Sequence, residues 1–437
     1  MSRKSNSAPL QGLGIFFLFF PILLFSQSLT VETCQKKAKA NYPLVKQYGL
    51  IEQTSQYNIS NANKGYLPQL TLSAKVTYQS DVTAIPSSLG QILSQVSGHP
   101  VVFASLPKEQ YQAILEASQA IWDGGIISSQ NKITKAGVEV EKQKLEVDLY
   151  TLKDRVNQLF FGILLLNEQF QQNEILKKDL QTNYDRVNAY KQNGVAQQSD
   201  LDAIKVEQLN ASQRTSDLNN TRKTYCILLS ALTGIDVNEN TELKKPEIDL
   251  SILSDTTCRR PELGLFDAQS KLYDNQKNLV LSGNLPKIGA FIQGGVGQPG
   301  LNMFAGGISP FYIGGVRLSW NISGLYTQKN NINKLEVSKK TVDIQKETFL
   351  FNNTLVTKQQ QNEINKLQST ITNDDEIIRL RQNIKKSTTA KLENGTANVT
   401  DLIRDVNAEN QALQLKSLHE IQLLMNVYQL KNNINNQ

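Results

Sequence analysis

The sequence predicts a mainly α-helical chain with a small β part, built from long coiled-coil-like helical hairpins and four strands, as an internal duplication. Three observations predict this. Short motifs recur at near-constant offsets between the two halves, and two tracts in each half switch to a period of two. Long proline-free tracts also carry an apolar seam at spacings of three and four.

The duplication is read from matched motifs. Pro43 and Pro261 open similar stretches that end in Gly65-Tyr66-Leu67-Pro68 and Gly283-Asn284-Leu285-Pro286, each match 218 positions apart. Downstream, Trp122-Asp123 pairs with Trp320-Asn321 at an offset of 198. Asn193-Gly194 and Ser199-Asp200-Leu201 pair with Asn394-Gly395 and Thr400-Asp401-Leu402 at 201. The drop in offset places about 20 extra residues in the first half, in a Ser/Pro/Gly-containing segment from Asp81 to Lys108 that reads as a loop. The expected organisation is a leader over 1–28, a first repeat over 29–234, a joining segment over 235–257 and a second repeat over 258–437.

Strands come next in each repeat. After Pro68, Leu70, Leu72, Ala74, Val76 and Tyr78 alternate with Thr71, Ser73, Lys75, Thr77 and Gln79, apolar on one face and polar on the other. Ile288, Ala290, Ile292 and Val296 repeat the pattern after Pro286. The strand pairs are expected near 68–80 with 112–122 and near 286–296 with 311–320, the last with Val316, Leu318 and Trp320 on one face. Segments of about ten residues suit tilted membrane strands. Tyr78, Trp122, Tyr312 and Trp320 near the strand ends fit an aromatic girdle; an ordinary core role is the alternative for any one of them.

Helices fill the remainder. Leu145, Leu149, Leu152, Val156, Leu159 and Ile163 form a narrow seam. One helix is expected from 126 to 192, on the order of 100 Å long at 1.5 Å per residue. Its counterpart, Thr327 to Glu393, contains neither proline nor glycine. Both end at Asn-Gly, a turn signal, near 194 and 395, and a helix of about 30 to 35 residues follows each.

Composition narrows the setting. Aromatics at 7% and hydrophobics at 39%, with abundant Asn, Gln, Lys and Leu, suit partly solvated helices better than thick cores. Net charge is +6 with no Lys/Arg run, which argues against nucleic-acid binding. Arg3 and Lys4 precede an apolar stretch from Ile15 to Phe25, and Ser26-Gln27-Ser28 offers a small-x-small cleavage site, the pattern of a signal peptide. No later run approaches the roughly 18 apolar residues of a membrane helix; the longest, Leu159 to Leu166, contains Gly162. An exported chain of this kind meets a membrane only as β-strands, which points to the bacterial outer membrane and the periplasm beneath it. Cys34, Cys226 and Cys258 are too scattered for a disulfide framework and read as buried thiols, with a single pairing left open.

Four membrane strands cannot close a barrel, and an open edge in hydrocarbon leaves N–H and C=O groups unpaired at several kcal/mol each. Other copies must pair those edges. Two copies give eight strands, a barrel filled by its own side chains. Three give a trimeric 12-stranded outer-membrane β-barrel wide enough to conduct, the apolar faces meeting lipid. The narrow helical seams likewise need neighbours, and packed around a ring they make an α-barrel tunnel.

At this point the residues resemble the TolC-like outer-membrane efflux protein family over essentially the whole mature chain. The resemblance is carried by Leu29-Thr30-Val31-Glu32 with Asn41-Tyr42-Pro43, by the Leu-Pro strand entries at Leu67 and Leu285, and by Trp122-Asp123-Gly124-Gly125. Leu228-Leu229-Ser230-Ala231-Leu232-Thr233-Gly234 completes it. It implies a homotrimer that passes substrates outward from a periplasmic adaptor (membrane fusion) protein and an inner-membrane pump, in tripartite efflux or type I secretion. It also implies a periplasmic gate near the hairpin tips, where Ser199, Asp200, Thr400, Asp401 and Arg404 stand. Adaptor docking would fall on Asn193, Gly194, Leu201, Asn394, Gly395 and Leu402. A ring of three carboxylates attracts cations and can hold a closed state; the alternative is that each Asp caps the helix after the turn. The chain departs from the family where a second tip Asp is replaced by Arg404, and where Ala397 and Leu392 occupy the positions of a gating Arg and Tyr. Arg404 is then placed to neutralise Asp401 or Asp405.

Enzymatic chemistry is not expected. His99 and His419 lack a ligand cluster, and Gly294-Gly295 and Gly314-Gly315 lie inside strands, not before helices as a phosphate cradle requires, so no catalytic, cofactor or metal site is assigned. The competing readings are a periplasmic adaptor, which would show one hairpin beside a split β-domain, and a structural coiled-coil protein of the envelope, which would lack the alternating strands.

Overall fold

The computed structural model describes residues 29–103, 105–303 and 307–435. The expected signal peptide lies outside them. The first half runs α1 (Val31–Asn41), α2 (Gln47–Asn63), β1 (Gln69–Tyr78), α3 (Ser87–Ser97), β2 (Glu109–Trp122), α4 (Ile126–Tyr150), α5 (Leu152–Gln192) and α6 (Gln198–Thr233). The second runs α7 (Pro261–Gly283), β3 (Lys287–Gln298), β4 (Ser309–Ser319), α8 (Gly324–Glu393) and α9 (Val399–Ile434).

Three expectations are corrected. The segment 81–108 is not all loop, because Leu89, Ile92, Leu93 and Val96 fall at helical spacing and Gly98, at φ +70°, caps the helix they make in the left-handed conformation. The helix over 126–192 is two, since Thr151 interrupts it while keeping helical dihedrals of −62° and −19° and donating its hydroxyl to the Asp148 carbonyl at 2.8 Å. Three strands are shifted or longer than their sequence bounds, while β1 falls inside its own: β2 begins at Glu109, β3 reaches Gln298, and β4 stops at Ser319, leaving Trp320 just beyond it.

The four strands form one antiparallel sheet in the order β1-β2-β3-β4. The two strand pairs are thus joined through β2 and β3, and among the described residues the outer edges of β1 and β4 have no strand partner. Gly295 permits the β2–β3 contact: a Cβ there would stand 2.4 Å from the Ala113 carbonyl oxygen.

The helices run away from one end of this sheet. Hairpin α5–α6 packs beside α8–α9. The main core sits where α1 lies across them: Val31 and Cys34 of α1 meet Phe160 and Phe161 of α5, Leu229 of α6 and Leu424 of α9. Phe161 is fully buried and stacks at a tilt on Tyr428, centroids 5.1 Å apart. The Leu145-Leu149-Leu152-Val156 seam is buried as its spacing requires. Cys34, Cys226 and Cys258 are free, and burial together with nearby Glu32 pushes the Cys34 thiol up to about 12. No helix of the described residues is long and apolar enough to cross a membrane.

Candidate functional site: an apolar sheet face and two hairpin tips

Residues directly opposite in an antiparallel ladder share a face. The register Leu72↔Leu115, Leu115↔Gly294 and Gly294↔Tyr312 therefore aligns one face across all four strands. Leu70, Leu72, Ala74, Val76 and Tyr78 lie on that face with Tyr111, Ala113, Leu115 and Ala117. Ile288, Ala290, Ile292 and Val296 continue it into Leu318, Val316, Gly314 and Pro310. It is apolar throughout except at Glu109 and Gln298, where the strands end, and Gln119, near the base of β2. It is also open: Leu72 is 76% exposed, Val316 70% and Tyr312 79%. The expected girdle residues fall at its two ends. Tyr78 and Tyr312 stand near the end away from the helices, where Tyr111 joins them, while Trp122 and Trp320 stand at the helix end. Trp320 is anchored there by donating its indole N–H to the Asn284 carbonyl at 3.0 Å.

The opposite face is polar on β1, with Thr71, Ser73, Lys75 and Thr77, and mixed beyond it, where Gln112, Glu116, Ser118 and Gln293 stand among Ile114, Phe291, Phe311 and Ile313. Arg317 of β4 reaches across β3 to within 3.5 Å of Glu116, its guanidinium 4.5 Å from the Phe291 ring centroid. No local sequence pattern announces that pair, because it depends on the long-range register between β2 and β3.

At the other end of the molecule the tips turn at Gly194 (φ +74°) and Gly395 (φ +68°), both exposed beside Asn193 and Asn394. Asp200 and Asp401 occupy the third helical position after each turn. The backbone N–H of Gln197 donates to Asp200 at 2.8 Å, and that of Asn398 to Asp401 at 3.4 Å. Each aspartate thus completes a capping box, the cap itself being Gln197 or Asn398. Ser199 and Thr400 are exposed in the same first turns. Leu201 and Leu402, however, are 3% and 1% exposed and pack with Ile204, Val187 and Val406. They hold the two hairpins together from inside and present no surface.

Arg404 bridges Asp401 at 3.2 Å and Asp405 at 3.3 Å, as its spacing suggests. Asp405 is buried and accepts the Thr388 hydroxyl at 2.7 Å. Farther from the tip, Lys385 of α8 sits between Asp179 of α5 at 2.9 Å and Glu409 of α9 at 2.5 Å. Burial opposes its charge, but the bonds to Glu409 and Asp179 win and raise its pKa. Among the described residues no group of three or more His, Cys, Asp or Glu is placed to hold a metal ion.

A sheet with one lipid-type face and open edges, continued by helical hairpins that are not membrane helices, defines a subunit of an outer-membrane channel with a tunnel below it. Comparison agrees. The fold is similar to that of the Campylobacter jejuni CmeC outer membrane channel, at TM-score 0.62 and 13% identity, over 92% of this chain and 85% of that one. It is similar to the open-state Neisseria gonorrhoeae MtrE outer membrane channel at TM-score 0.62 and 13% identity, over 92% and 88%. It is also similar to CusC at TM-score 0.66 and 12% identity, over 92% and 91%. At these identities the likeness is one of fold. No curated protein is similar in sequence to the chain. The family description "outer membrane efflux protein" matches residues 35–235. Over that stretch the chain is similar to outer membrane efflux proteins, and over most of its length it has the fold of the channels named above.

Proposed function

We propose that three copies of this chain form the outer-membrane exit duct of a tripartite efflux or type I secretion system, receiving substrates from a periplasmic adaptor protein and an inner-membrane pump. The observation that carries this reading is the apolar face of Leu72, Leu115 and Tyr312 on a sheet whose two edges lack strand partners among the described residues. In hydrocarbon those edges must be paired, and three copies are the fewest that leave a passage. The same order of helix, strand, strand, long helix and helix in 29–234 and 258–437 supports two structural repeats joined by 235–257.

In this assembly the exposed turns at Asn193-Gly194 and Asn394-Gly395 are the surface offered to an adaptor. Ser199, Asp200, Thr400, Asp401 and Arg404 surround the narrow end and set its charge. An adaptor or a plain envelope coiled coil would have no use for a sheet with one lipid-type face. The test is the mass of the detergent-solubilised protein together with its conductance. A trimer that opens ohmic channels in planar bilayers is expected, whereas a water-soluble monomer without conductance would overturn the reading. Adaptor docking is tested separately, by crosslinking from cysteines placed at Asn193 and Asn394 in cells.

A further inference from the structure

Where α1, the α4–α5 junction and the end of α9 meet, a cavity of about 490 Å³ opens whose wall carries four lysines against two glutamates. Its volume lies in the range of about 300–1,000 Å³ typical of small-molecule sites. Both glutamates are already engaged. Glu32 accepts the Tyr428 hydroxyl at 2.5 Å. Glu146 accepts Lys39 at 2.6 Å and the Tyr48 hydroxyl at 2.5 Å. Lys36, Lys153 and Lys431 are left with no carboxylate within ion-pairing distance among the described residues. Lys153 and Lys431 instead lie over the Tyr150 and Tyr428 rings, at 4.7 and 5.1 Å from the centroids.

The floor has a different character. Leu149, Leu152 and Pro261 line it beside the two tyrosine rings. Behind Tyr150 and Asn432 lies a second chamber of about 260 Å³, lined in part by Asn157. Asn157 is 3% exposed; its side-chain oxygen takes the Gln35 amide at 2.6 Å, while its own amide N–H donor has no partner. Unspent positive charge at the mouth, an apolar floor and an orphaned donor behind it are complementary to one chemistry.

We propose that this cleft binds a small organic anion, a carboxylate or phosphate ester carried on an aromatic or aliphatic body. The acidic group sits among Lys36, Lys153 and Lys431 and the body rests on Leu149, Leu152 and Tyr150. Burial, reinforced by nearby Lys39, already disfavours the Lys153 charge, and a bound anion would relieve that. Because the cleft is assembled from segments more than 100 positions apart in the chain, such a ligand would also favour the folded state. None of this depends on the transport reading.

The test uses the full chain in nonionic detergent, titrated calorimetrically with 2-naphthoate, 1-naphthyl phosphate, neutral 2-naphthylmethanol and inorganic phosphate. Heats of injection into detergent alone are subtracted. Saturable binding of both organic anions at one site per chain is expected, with the neutral analogue and inorganic phosphate at least tenfold weaker. Lys36→Ala/Lys431→Ala should weaken the anions at least tenfold; Lys36 is exposed and Lys431 half-buried, so the fold is retained, which circular dichroism checks. Lys153→Met gives a second, independent loss. Absence of saturable binding to the wild-type chain, equal affinity for the neutral analogue, or unchanged affinity in both variants would each overturn the proposal.

Discussion

The Arg404 guanidinium stands 3.2 Å from the Asp401 carboxylate, one turn further along α9. With Arg404 68% exposed, the pair contributes at most about 1 kcal/mol to stability. Its effect is on the field at the tip: the second tip carries an acid already answered by a base, whereas Asp200 of the first tip has no ion pair among the described residues. Single-channel recordings should therefore show greater cation preference in Arg404→Ala and less in Asp200→Ala/Asp401→Ala. The double variant also loses two capping-box carboxylates, at about 1 kcal/mol each. Conductance and selectivity identical to wild type in the double variant would remove the gate from these residues.

Leu72 and Thr71 are neighbours on β1 that face opposite ways, and the same substitution should separate them. Leu72→Arg puts a charge on the lipid-type face and is expected to cost about 2–4 kcal/mol, depending on depth. Thr71→Arg puts it on the polar face, where assembly should survive and conductance change. Folding yield into vesicles, read by the heat-modifiable shift on a gel, distinguishes them; equal losses would mean that neither face meets lipid.

The faces of β1 were legible because Leu70 to Tyr78 alternate without a break, and the tips because Asn-Gly followed by Asp is strong local chemistry. What lay beyond the sequence is long-range. The β2–β3 ladder pairs Leu115 with Gly294, and no local pattern announces a contact between residues so far apart. The Glu116–Arg317 pair depends on that ladder. Lys385 reads as one solvated lysine among many until α5 and α9 bring Asp179 and Glu409 to it. The helix α3 was hidden by its serines and Gly90, although the spacing of Leu89, Ile92, Leu93 and Val96 carried the signal. For Leu201 and Leu402, adjacency to the turn suggested surface, whereas the packing of two hairpins buries them.

Glu146 should make the fold acid-sensitive. Burial alone would raise its pKa, but hydrogen bonds from Lys39 and Tyr48 outweigh it and hold the carboxyl below the ordinary value of 4.5. A depressed folded value stabilises above the unfolded pKa and is lost as pH falls through the folded one. Wild-type thermal stability should therefore drop below about pH 4.5 more steeply than that of Glu146→Gln, the two converging in strong acid. Parallel profiles would show that the contact contributes nothing.

Lys385 gives the opposite sign. Its pKa is raised because the bonds to Glu409 and Asp179 overcome the cost of burial, and a raised folded value stabilises fully below the unfolded pKa of about 10.4. That contribution is lost as pH climbs from there through the folded value. Lys385→Met keeps the stem but leaves Glu409, mostly buried, without its cation. For a partly buried pair this should cost about 1–3 kcal/mol at neutral pH, less than the ~3–5 kcal/mol of a fully buried one. Urea denaturation followed by far-ultraviolet circular dichroism at pH 7, 9, 10.5 and 11.5 measures it. The gap between wild type and variant should be constant up to pH 9 and narrow above 10.5, as the ammonium that ties α5, α8 and α9 together gives up its proton. A gap that persists unchanged at pH 11.5 would mean that the stem of Lys385, and not its charge, holds the three helices.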